Sequence, residues 1–129
     1  MIRITVPMAP DSRMFPNKAG KSLHWQTRRS ARAKSREAGY KAAKKCKPPK
    51  PIAGPVVCTI HAEYGYRRRV PDLDATVSAC KSFIDGLTDA GIFLDDKQIV
   101  KIIATHQKMV VPKGEKWPGL TTITIEEVK

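Results

Sequence analysis

Apolar and polar residues alternate near both ends of the chain and repeat with helical spacing between them. Met1-Ile2-Arg3-Ile4-Thr5-Val6 has period two, which predicts a strand. Leu120 to Val128 alternates Thr with Ile in the same way. Pro55 to Tyr64 and Gln98 to Val111 are rich in β-branched residues and also read as β. Two segments carry the helical period. From about Thr27 to Lys45, Ala31, Ser35, Ala38, Ala42 and Cys46 recur every three or four residues, a narrow inward face on a basic helix. Lys47-Pro48-Pro49-Lys50-Pro51 ends it, because proline cannot continue a helix and restricts the residue before it. From Asp74 to Ala90, Val77, Cys80, Phe83, Ile84 and Leu87 share one arc. Asp74, Ser78, Lys81 and Asp85 form a polar stripe on the other side. Gly91 supplies a left-handed C-cap, after which Ile92-Phe93-Leu94 packs back on the core.

Pro7 to Lys21, with three prolines and a glycine, reads as loop, and Lys113 to Gly119 as a hairpin loop. The order β-α-β-α-β-β predicts an α+β domain, a small mixed β-sheet packed against helices. A length of 129 residues suits one domain over 1–129. No apolar run is long enough for a membrane span, and the N-terminus lacks the pattern of a signal peptide, so no membrane partner and a cytoplasmic location are expected. Cys46, Cys58 and Cys80 are widely spaced, with no CxxC and no Cys/His pairing suited to structural zinc, so free thiols are expected.

Charge changes the picture. The chain has a formal net charge of +12. Residues 13–50 hold 13 Lys/Arg against one acid, Glu37, so the entire excess lies in one N-terminal stretch. That is the footprint of an element that follows a phosphate backbone. A membrane surface fits less well, because the stretch lacks a continuous Leu/Phe/Trp face.

Against this basic background, four acids stand out: Asp72 and Asp74, directly after Arg67-Arg68-Arg69-Val70-Pro71, and Asp95-Asp96, one helix length later. Carboxylates grouped on a polyanion-binding protein suggest a divalent cation between them and the phosphate. In an extended segment Asp72 and Asp74 project to the same side. Each acid also has a plainer reading: Asp72 or Asp74 as a helix cap, Asp95-Asp96 as a turn, Lys81 with Asp85 as a surface i,i+4 pair.

The run Arg68-Arg69-Val70-Pro71-Asp72-Leu73-Asp74, with Lys81, Ile84-Asp85-Gly86-Leu87, Asp89-Ala90-Gly91 and Leu94-Asp95-Asp96, resembles the RusA family of Holliday junction resolvases, and its phage-encoded members in particular. The resembling signature spans 67–103. Ala75 stands where many members have Asn, and Lys81 lies seven residues after Asp74 where many place the lysine at four. The resemblance implies a homodimeric, Mg²⁺-dependent endonuclease (Mn²⁺ as a substitute) that makes paired nicks in branched DNA, acting in a bacterial cytoplasm. It implies Asp72, Asp74 and Asp96 as catalytic metal ligands, Asp95 joining or supporting them, and Lys81 as the catalytic lysine.

DNA contacts are expected from Arg28, Arg29 and Arg32, from Arg67, Arg68 and Arg69 beside the acids, and from Lys113 and Lys116 beside Trp117. Two other readings stay open. One is a non-catalytic basic DNA-binding or architectural protein. The other is a nuclease preferring flaps, forks or Y-shaped DNA.

Overall fold

The computed structural model describes residues 1–15, 25–65, 70–109 and 118–128. Its elements are β1 (Ile2–Val6), α1 (Trp25–Lys44), β2 (Val56–Tyr64), α2 (Leu73–Ala90), β3 (Ile99–Lys108) and β4 (Leu120–Glu127). Single 3₁₀ turns occupy Ser12–Met14 and Asp96–Gln98. The four strands form one mixed sheet in the order β1-β4-β2-β3. β4 pairs antiparallel with both β1 and β2, and β2 pairs parallel with β3. The fold is α+β, as the sequence pattern predicts.

The hairpin expected between the last two strands does not form. β4 inserts between β1 and β2, so β3 and β4 lie on opposite sides of β2. Burial accounts for the arrangement. Thr121, Ile123 and Ile125 on β4 are fully buried, the mark of a central strand. β3 is left at the edge, with Val100, Ile102 and Ile103 exposed.

One sheet face carries the core. Ile4 and Val6, Val56, Cys58 and Ile60, and Ile123 and Ile125 pack against Ala42 and Ala43 of α1 and Cys80, Phe83, Ile84 and Leu87 of α2. Gly91 ends α2 with φ 85°, the left-handed conformation expected of it, and its N–H donates to the Leu87 and Thr88 carbonyls. Ile92 and Phe93 then turn inward, but Leu94 is exposed.

The inward stripe of α1 differs from the expected one. Ala31, Ser35, Gly39, Ala42 and Ala43 are buried, whereas Ala38 is half-buried and Cys46 lies exposed beyond the helix end. The reason is a close crossing with α2. A Cβ on Gly39 would lie 2.4 Å from the Phe83 carbonyl oxygen, and a Cβ on Gly86 would lie 2.2 Å from that of Arg36. Two bare backbones meet there, and the buried arc of α2 widens to include Ala75, Ala79 and the polar Ser82. Beside the crossing, Arg36 donates to both carboxylate oxygens of Asp89, at 2.6 and 2.8 Å.

Candidate active site

Pro71 restricts its predecessor to extended geometry, and α2 starts two residues later. Asp72 occupies the N-cap with extended φ and ψ, yet its carboxylate makes no capping hydrogen bond. The acid is thus at the capping position without capping. Asp74 falls within the first helical turn, so the two do not share an extended segment. Both are exposed, at the helix end where aligned peptide dipoles favour negative charge. Ser78, Lys81 and Asp85 continue the stripe along α2, with Lys81 two turns from Asp74, about 10 Å by helix rise.

Asp95 and Asp96 sit in the turn between α2 and β3, and their environments separate their roles. The Asp95 carboxylate accepts from the Lys97 N–H at 2.9 Å, which caps the 3₁₀ turn. Gln98 completes the cap, its Oε1 accepting from the N–H groups of Leu94 and Asp95. Its Nε2 donates to the carbonyls of Ile52 and Gly54, fastening the turn to the chain that leads into β2. Asp96 instead faces α2, where Lys81 Nζ donates to Asp96 Oδ2 at 2.5 Å. Lys81 also lies 3.6 Å from Asp85. The hydrogen bond from Lys81 holds the Asp96 carboxyl below the ordinary carboxylate range. The same bond raises the Lys81 ammonium above its usual value, so the lysine stays charged.

Beneath the first turn of α2 lies a buried polar junction. Thr76 Oγ1 is 2.8 Å from the Tyr64 hydroxyl and 2.9 Å from His106 Nδ1. Burial pushes the Tyr64 phenol up to about 12, which keeps it neutral. The three residues come from the end of β2, the start of α2 and β3. They tie the turn that bears Asp74 to the sheet.

Carboxylate oxygens are the donor type a hard cation such as Mg²⁺ takes. Among the described residues, no three or more His, Cys, Asp or Glu side chains are gathered closely enough to hold an ion. Mg²⁺ commonly binds through one or two carboxylates and fills its shell with water and substrate phosphate. The acids therefore fit in kind, but they do not form a complete protein-only cage.

Among the expected DNA contacts, Arg29 and Arg32 are exposed and Arg28 half-buried on α1. Arg67, Arg68, Arg69, Lys113 and Lys116 lie outside the described residues, as does Trp117. Sequence reading passed over Gln98, Thr76, Tyr64 and His106. Gln98 had a signal, since Asp95-Asp96-Lys97-Gln98 is a capping-box spacing. Thr76, Tyr64 and His106 had none, because their bonds join residues 12 and 30 positions apart.

No curated protein matches the chain. A family model described as "Endodeoxyribonuclease RusA" matches residues 6–126, nearly the whole of it. With that match running from the end of β1 through both helices, β2 and β3 and into β4, the chain belongs to the RusA endodeoxyribonuclease family.

Proposed function

We propose that this chain is a metal-dependent, structure-selective DNA endonuclease that resolves Holliday junctions or related branched DNA by paired nicking. The family match over residues 6–126 carries the reading. It is supported by an acid-bearing helix end, and by an Asp96–Lys81 pair that joins the same helix to the turn after it, in a chain of net charge +12. Asp72, Asp74 and Asp96 would hold Mg²⁺ (or Mn²⁺), with Asp95 shaping the turn that presents Asp96. The bound ion would supply an activated water and relieve charge on the scissile phosphate. Lys81 places a fixed positive charge beside the departing oxygen or a phosphate oxygen. Arg28, Arg29 and Arg32 hold the neighbouring backbone, joined by Arg67, Arg68, Arg69, Lys113 and Lys116.

Paired nicks in a two-fold junction call for two sites related by the same symmetry, hence a homodimer. An open sheet edge with exposed Val100 and Ile103 on β3 is consistent with a second copy covering it. A non-catalytic DNA-binding role has one observation in its favour: among the described residues, no three potential ligands are gathered. It requires indifference to divalent metal.

The deciding experiment presents purified protein with a four-way junction, a fork, a flap and a Y-shaped DNA, in Mg²⁺ and in EDTA. Metal-dependent nicking, fastest on the four-way junction, is expected. Asp74→Asn should remove cleavage and leave binding intact. Binding without cleavage by the unaltered protein in Mg²⁺ would overturn the proposal in favour of the architectural role, and a faster rate on flaps or forks would reassign the substrate.

A further inference from the structure

A groove of about 790 Å³ opens between α1 and α2 beside the candidate active site. Its volume lies within the roughly 300–1,000 Å³ typical of small-molecule sites. Val77, Ile84 and Ile102 make an apolar wall, and Arg28, Arg32 and Lys81 bring positive charge. Asp85 also borders it, 3.6 Å from the Lys81 ammonium that offsets its charge.

The arginines are placed for an anion. Arg28, Arg32 and Arg36 recur every four residues along one flank of α1. Arg36 is matched by Asp89, whereas Arg28 and Arg32 make no ion pair among the described residues. Arg28 Nε is moreover shielded from water without an acceptor among the described residues. A buried donor left unpaired is costly, and a phosphate oxygen would supply the missing acceptor. The groove also meets the candidate active site directly, because Lys81 lines it and donates to Asp96.

From these features we infer that the groove receives one unstacked nucleotide of the bound DNA strand, its base against Val77, Ile84 and Ile102 and its phosphate on Arg28 and Arg32. The inference rests on the proposed nuclease function and gives it a physical source of branch selectivity. A stacked duplex is too wide to enter a cleft between two packed helices. A single extruded nucleotide fits, and extrusion costs least where a base has already lost its partner or its stack, as at a branch point. The nucleotide in the groove would lie next to the phosphate presented to Asp96.

The test uses the full chain carrying Asp74→Asn, bound to a four-way junction with 2-aminopurine placed in turn at each nucleotide flanking the branch. Its fluorescence rises when the base leaves the stack. A rise of several-fold at one position is expected, absent on a linear duplex of the same sequence. Ile102→Gln should abolish that rise and lower the junction-over-duplex affinity ratio about tenfold, the scale of one lost apolar contact. Val77→Gln is the second wall variant, should the first not fold. A junction that is bound by this protein and cut by the unaltered one, with flat fluorescence at every position, would overturn the groove assignment alone. So would a rise that survives both wall variants. Failure to bind or cut branched DNA would remove the nuclease reading and the groove with it.

Discussion

Lys81 Nζ and Asp96 Oδ2 are 2.5 Å apart, so a residue in the middle of α2 is joined to the turn that follows the helix. Both groups are partly exposed, and such a pair contributes little to stability, about 0–1 kcal/mol. Its use is positional. The folded carboxyl is lowered, so the pair's contribution is complete above the ordinary carboxylate range and is lost as pH falls through the Asp96 value. The lysine is raised, so at the alkaline end the contribution is lost only as pH climbs beyond 10.5. Throughout the neutral range the contact persists. Lys81→Met should bring the Asp96 carboxyl back toward 3.8, as read by NMR titration. It should also slow cleavage by roughly 10²–10³, the usual loss for one electrostatic stabiliser, with junction affinity nearly unchanged.

Asp95 and Asp96 are adjacent but should fail differently. Asp95→Ala removes the cap on Lys97 and should cost about 0.5–2 kcal/mol in urea unfolding, with partial cleavage retained. Asp96→Ala should unfold at nearly the same urea concentration as the unaltered protein and should not cleave. The opposite pattern would exchange the two roles.

Thr76 is a buried junction with partners on two strands. Thr76→Val leaves the Tyr64 hydroxyl without its partner and should cost about 1–3 kcal/mol. Thr76→Ser, which keeps the hydroxyl, should recover most of that loss. Denaturant unfolding of the three proteins gives the comparison.

The thiols should separate by reagent. Burial pushes Cys58 and Cys80 up to about 12, so neither offers thiolate near neutral pH. Cys46 is exposed. An aromatic disulfide reagent at pH 8 should titrate one thiol per native chain and three in denaturant.

Gly86→Ala should be among the most damaging small substitutions. Its methyl group would meet the Arg36 carbonyl and the Tyr40 nitrogen, both backbone atoms that no rotamer change moves aside. Overpacking of this kind costs about 1–3 kcal/mol or more, and thermal unfolding should fall by several degrees.

Much of this was legible from spacing. Alternation located β1 and β4, β-branched content located β2 and β3, and period 3.6 located both helices with their proline and glycine stops. The RVPDLD and LDD runs marked the acids. Strand order was not legible, because the short link from β3 to β4 suggested neighbours, while burial of Ile123 and Ile125 drew β4 into the centre. The inward face of α1 was misplaced at Ala38 and Cys46, since periodicity counts apolar side chains and a glycine contact has none. The division between Asp95 and Asp96 needed coordinates. Two identical side chains in sequence differ only in what surrounds them.

The glycine crossing has a further consequence. Where Gly39 and Gly86 face each other, the offset between the cationic and acidic helices is dictated by main chain alone. The two behave as the jaws of a clamp with a fixed gape. Exchanging arginines or aspartates along either jaw changes grip or chemistry, but leaves the opening as it was.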